Sequence, residues 1–110
     1  MALNIESDGK NEIFRLEGEL NLYNVAKIRN EIYQYLDTKP EIKSVIMDMT
    51  DVSILDSSGI ALMTHLQRKI KESGSKFYLV NLNTTIMTTL RLSSLDKHFQ
   101  IFDTLQDIPA

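Results

Sequence analysis

Two near-continuous apolar runs constrain this chain more than any other feature: Ser44-Val45-Ile46-Met47-Asp48-Met49, and Lys76 to Leu82 with Phe77, Tyr78, Leu79, Val80 and Leu82. Both favour β-structure, and neither alternates enough for a half-exposed strand, so both suit a parallel sheet covered by helices. Between them Leu62, Leu66 and Ile70 recur at four-residue steps, with Ile60 and Met63 beside them. That spacing predicts a helix from Ser57 to Ser73, ended by Gly74 in a left-handed C-cap. The three segments form a strand, helix, strand unit whose crossover is right-handed.

The flanking segments extend this unit. Leu3 to Ser7 and Asn11 to Gly18, joined by the turn Asp8-Gly9-Lys10, predict an N-terminal hairpin, with Ile13, Arg15 and Glu17 alternating against Phe14 and Leu16. From Leu22 the period lengthens: Leu22, Val25, Ile28, Ile32 and Leu36 mark an amphipathic helix that stops before Pro40, with Lys39-Pro40 as the link into the next strand. A third helix is expected over Thr84 to Leu92 through Ile86, Met87 and Leu90, although its four threonines are poor helix formers. A short last strand around Gln100 to Phe102 and a loose tail complete the expectation. The fold class is α/β: a mixed, mostly parallel β-sheet with an N-terminal hairpin and three to four packed helices, in one domain over residues 1–110.

Composition narrows the chemistry. The 110 residues are 43% hydrophobic with no cysteine, so one core can form, while a disulfide framework, a thiol nucleophile and every cysteine-bearing zinc site are excluded. The N-terminus Met1-Ala2-Leu3-Asn4-Ile5-Glu6 lacks the basic start and apolar stretch of a signal peptide, and no apolar run approaches the ~20 residues that span a bilayer. A cytoplasmic location without membrane contact is the expectation. The net charge of −3 disfavours direct nucleic-acid binding. Arg68, Lys69, Lys71 and Lys76 stand against only Glu72, and cations at a helix end complement its dipole.

Few catalytic or cofactor motifs remain. The four glycines, at 9, 18, 59 and 74, form neither phosphate-cradling loop, and no cofactor is implied. His65 lies eight residues after Ser57 on the same predicted helix, about 12 Å along the axis, too far to act as its base. His98 is isolated, and neither histidine has a partner spaced for a metal. The sequon Asn83-Thr84-Thr85 has no use in a cytoplasmic protein. No enzyme activity is expected.

One segment stands apart, Asp48-Met49-Thr50-Asp51-Val52-Ser53-Ile54-Leu55-Asp56-Ser57-Ser58-Gly59, which leaves a predicted buried strand and enters a helix. Open α/β sheets present functional groups at such junctions. Asp56 or Ser57 as an ordinary N-cap accounts equally well for Asp-Ser-Ser-Gly alone. A serine here, however, sits at the positive end of a helix, where an added phosphate is tolerated. No Lys or Arg occurs between Ser44 and Arg68, whereas Asp48, Asp51 and Asp56 do. Unless a remote segment supplies an arginine, a phosphate at Ser57 acts outward on a docked partner more than inward on the loop.

These residues resemble the STAS-domain anti-sigma-factor antagonists of bacteria, over nearly the whole chain. Gly18-Glu19-Leu20-Asn21 is similar to that family's Gly-Glu-Leu-Asp, Leu55-Asp56-Ser57-Ser58-Gly59-Ile60 to its phosphorylation motif, and Leu92 to Phe102 to the stretch leading into its last strand. The resemblance implies a single STAS-like domain that is itself a substrate. Unphosphorylated, such a protein binds an anti-sigma factor that is also a serine kinase of the histidine-kinase-like ATPase fold, and so frees the sigma factor. Phosphorylation of the serine after the motif's Asp, here Ser57, ends the interaction, and a PP2C-type phosphatase restores it. Asp56 then caps the helix or positions the Ser57 hydroxyl, Ser58 is held by the helix start, and Gly59 allows close approach of the kinase. Asn21 stands where the family has Asp, keeping a hydrogen bond but not a charge, and Ala61 where a second glycine is common. Tyr23 and Asn24 belong either to the docking edge or to a solvent-facing first turn. The other reading is a STAS-type scaffold or sensor subunit of a larger regulatory or transporter-associated complex, with the serine serving only as a cap.

Overall fold

A computed structural model describes residues 2–39 and 41–109. Strand β1 (Ala2–Asp8) turns through Gly9, whose φ of +78° explains the glycine, into β2 (Asn11–Leu20). Helix α1 (Val25–Asp37) leads to β3 (Ser44–Leu55), α2 (Ser57–Glu72), β4 (Lys76–Val80), α3 (Thr84–Leu92) and β5 (Gln100–Phe102). The five strands lie side by side in sequence order; β1 is antiparallel to β2, and all later pairs are parallel. This is the expected α/β sheet with its hairpin.

Strand alternation divides the interior in two. Phe14 and Leu16 of β2, Val45, Met47 and Met49 of β3, and Phe77 and Leu79 of β4 pack with Ile28, Ile32, Leu62, Leu66, Ile70, Ile86 and Leu90 of the three helices. The opposite face carries Ile13, Ile46, Tyr78 and Val80, and is covered by Phe102, Leu105 and Ile108. The tail is therefore not loose: a 3-10 turn at Leu105–Asp107, closed by a capping box between Thr104 and Asp107, seats its apolar side chains on the sheet.

Two further boundaries differ from expectation and one agrees. Leu22 is not part of the α1 stripe; it is 70% exposed in the turn before Val25, and the buried set is Ile28, Ile32 and Leu36. The link at Lys39-Pro40 falls partly outside the described residues, since Pro40 is one of those left out, but α1 ends before it. Strand β4 stops at Val80 rather than Leu82 because Asn81 adopts φ +60°, which breaks the extended run.

The largest difference is β3, which continues six residues beyond Met49. It pairs Arg15 with Asp48, Glu17 with Asp51, Gly18 with Val52, and Leu20 with Leu55, so twice, from Arg15 to Glu17 and from Gly18 to Leu20, β3 advances three residues while β2 advances two. Each extra residue is a bulge, which raises local twist and re-aims the strand. Gly18, at φ +109°, lies where the ladder shifts. The Asn83 side chain supports the irregular stretch by donating its amide hydrogens to the carbonyls of Val52, at 3.2 Å, and Ser53, at 3.1 Å.

Candidate functional site

The bulged end of β3 delivers Leu55 into the core and leaves Asp56 as the residue before α2. Asp56 has extended backbone (φ −98°, ψ −171°), and its side chain turns back over the first helical turn. Oδ1 accepts from the amides of Ser58 (2.9 Å) and Gly59 (3.2 Å) and from the Ser58 hydroxyl (2.6 Å). Oδ2 accepts the Leu22 amide at 3.2 Å, and the Asp56 amide donates to the Leu20 carbonyl at the same distance. One carboxylate thus joins the loop after β2 to the start of α2. The Ser58 hydroxyl and the three amides hold the Asp56 carboxyl below its ordinary range, against a smaller opposing effect of burial.

With Asp56 as the cap and Ser58 bonded to it, Ser57 is the exposed first residue of α2, and its hydroxyl makes no hydrogen bond among the described residues. The alternatives for the helix start are resolved in favour of Asp56. Gly59 is buried where α2 crosses the end of β2; a Cβ there would sit 3.0 Å from Leu55 Cβ, 3.1 Å from the Leu20 carbonyl oxygen and 3.2 Å from Leu20 Cδ2. The absent side chain is therefore accounted for by packing inside the domain.

The loop after β2 folds on itself. Asn21 Oδ1 accepts the Tyr23 amide at 2.9 Å, the Asn21 amide donates to Asn24 Oδ1 at 3.0 Å, and Asn24 Nδ2 donates to the Glu19 carbonyl at 2.7 Å. The Asn21 amide group thus serves its own turn. Holding the turn closed presents two apolar side chains to solvent, Leu22 at 70% and Tyr23 at 96% exposure, and Ile54 is exposed just before Asp56.

Sequence reasoning missed three contributors. The Leu22 backbone amide acts through the fold and leaves no sequence signature. Arg29 of α1 and His65 of α2 line a shallow groove of about 140 Å³ with Val25, Ser58, Ala61 and Leu62, a groove whose lining does not include Ser57. Asn83, visible only as part of a sequon, accepts the Ile86 amide at 2.8 Å to cap α3 while supporting β3. His98 lies apart from the site, its carbonyl accepting from Gln67 at 2.8 Å. Among the described residues no group of three or more His, Cys, Asp or Glu is placed to hold a metal, and no helix is long and apolar enough to cross a membrane.

A second polar cluster braces the sheet edge that carries this site. Asp48 accepts from Arg15 Nε at 3.2 Å, from Asn81 Nδ2 at 3.1 Å, and from the Thr50 amide and hydroxyl, while Arg15 also pairs with Glu6. Burial pushes the Asp48 carboxyl up, but the bonds from Thr50 and Asn81, with the Arg15 charge, outweigh it and leave the group lowered.

The profile of the STAS domain matches residues 2–108. The chain is 27% identical over 95 residues to the anti-sigma-F factor antagonist RsfB of Mycobacterium tuberculosis, an alignment spanning 86% of this chain and 75% of that protein. An anti-sigma factor antagonist from Mycobacterium paratuberculosis superposes with a TM-score of 0.82 at 20% identity, over 96% of this chain and 88% of that one. The Bacillus cell fate determinant SpoIIAA in its phosphorylated form superposes with a TM-score of 0.73 at 23% identity, over 96% and 94%. At these identities the two structures speak for the fold.

Proposed function

The chain belongs to the STAS domain family, and from that premise we propose that it is an anti-sigma factor antagonist switched by phosphorylation of Ser57. In its unphosphorylated form it binds, in the cytoplasm, an anti-sigma factor that is also a serine kinase, and the sigma factor is released. The observation that carries this reading is the exposed Ser57 hydroxyl, free of hydrogen bonds among the described residues, beside an aspartate whose two oxygens are taken up by the helix cap and the Leu22 amide. The name of the relative RsfB and the phosphorylated form of SpoIIAA support it.

In this reading Ser57 Oγ attacks the γ-phosphorus of ATP held with Mg²⁺ by the kinase; the P–O bond to ADP breaks and the hydroxyl proton leaves to a base on the kinase. Asp56 holds the helix start in place for that approach. Tyr23, Asn24, Asn21, Ser58 and Gly59 form the surrounding docking edge, with Leu22 and Ile54 adding apolar area. The phosphate brings about −1.5 to −2 charges to an edge where the Asp56 carboxylate already lies, which repels the docked partner. A PP2C-type phosphatase removes it.

The test is incubation with the cognate anti-sigma kinase and Mg-ATP, followed by mass spectrometry and binding measurement. One phosphate on Ser57 and loss of the complex are expected. A stable complex indifferent to Ser57 substitution would replace this reading with that of a scaffold subunit.

A further inference from the structure

At the far end of α2, about 21 Å along the helix from Ser57, lies a cleft of about 420 Å³ between the α2 C-terminus, β4 and the segment before β5. We propose that it binds a compact polyanion, in chemistry a di- or polyphosphate. This site is independent of the Ser57 reading.

The lining brings together Lys71 of α2, Lys76 of β4, and Lys97 and His98 from the connection into β5, with no aspartate or glutamate among them. Lys10, Lys39 and Lys69 each pair with a carboxylate, whereas Lys71, Lys76 and Lys97 make no ion pair among the described residues. In a chain of net charge −3, three lysines thus line one cleft, and a bound anion would neutralise part of their charge. The dipole of α2 accounts for Lys71, which stands in the last helical turn, but not for Lys76 or Lys97. Lys71, Lys76 and Lys97, separated in the sequence, are thus brought to one cleft by tertiary structure.

The frame beneath them is held in place. Buried Gln67 donates to the His98 carbonyl at 2.8 Å, and Phe77 meets Phe99 edge-on with ring centroids 6.4 Å apart. Gly74, at φ +80°, turns the chain between Lys71 and Lys76. The cleft lies within the size range of small-ligand sites. Both phenyl rings are buried, at 3% and 5% exposure, so neither offers a face for a base to stack on, which favours a compact anion over a nucleotide.

The experiment is calorimetric titration of the full chain with inorganic pyrophosphate, alongside the double variants Lys71→Gln/Lys97→Gln and Lys10→Gln/Lys27→Gln. One-site saturable binding is expected, at least tenfold weaker in the first variant and within twofold of the original in the second. Amide shifts on binding should centre on Gly74 to Phe77 and Lys97 to Gln100. Ser57→Ala should bind pyrophosphate as the parent does, so a failure of the phosphorylation reading leaves this result unaffected. Absence of saturation, equal weakening in both double variants, amide shifts at the Ser57 end, or binding of an acidic peptide but not of pyrophosphate would each overturn the proposal.

Discussion

The backbone amide of Leu22 and the carboxylate of Asp56, 34 positions apart in the chain, meet through a 3.2 Å hydrogen bond. Because Oδ1 of the same carboxylate caps α2, loss of the side chain frees two loops together. Asp56→Ala should lower the melting temperature and also increase protease cleavage between Leu20 and Asn24. Asp56→Asn, which retains an acceptor for the amides, should recover most of the stability. Circular dichroism melts and limited proteolysis provide the check.

Gly59→Ala sets two effects against each other. Alanine is the better helix former by roughly 1 kcal/mol, yet its methyl would crowd Leu55 and the Leu20 carbonyl, both of which are fixed by the sheet. Overpacking of this kind costs about 1–3 kcal/mol. The variant should therefore be less stable in urea denaturation, and an unchanged or raised midpoint would show that α2 can shift freely.

Asn83→Ala removes the α3 cap and leaves the carbonyls of Val52 and Ser53 without their donor. A loss of about 2 kcal/mol is expected, with faster amide exchange in the bulged part of β3 as the local readout.

Ser57→Asp places a negative charge at the α2 N-terminus. It should leave the fold intact, with stability unchanged or raised by about 0.3–1 kcal/mol, while weakening the complex with the anti-sigma partner. Ser57→Ala should bind and resist modification. Both are read by a thermal melt paired with a binding titration.

Acid stability follows from the lowered carboxyls of Asp48 and Asp56. Each binds its proton more weakly folded than unfolded, so its contribution is fully present above the ordinary aspartate value of 3.8 and is lost as the pH falls through the lower, folded value. Stability should thus decline below about pH 4, and Asp48→Asn should flatten that decline as measured by denaturation midpoints at successive pH values.

The residues that were legible in the sequence are those whose role is local. Ile28, Ile32 and Leu36 announce α1 by their spacing, and Leu55 to Gly59 reads as a strand-to-helix junction because capping chemistry is confined to a few neighbours. Leu22 misled because its spacing fits the stripe while its burial depends on where the preceding turn directs the chain. The second half of β3 was hidden by Thr50, Asp51 and Ser53, polar residues whose strand conformation comes from pairing with β2 and from Asn83. Leu105 and Ile108 are too close together to show a period, and their seat exists only once β2, β3 and β4 are assembled. Arg29 likewise joins Ser58 only when α1 packs beside α2.

Helix α2 separates the Ser57 edge, the proposed phosphorylation site, from the cleft lined by Lys71, Lys76 and Lys97. The interval of about 21 Å is more than twice the screening length of about 8 Å at physiological ionic strength. Charge arriving at one pole is therefore electrically silent at the other across solvent. A coupling between the two would have to run through the helix itself, whose first turn packs Gly59 against Leu20 and Leu55.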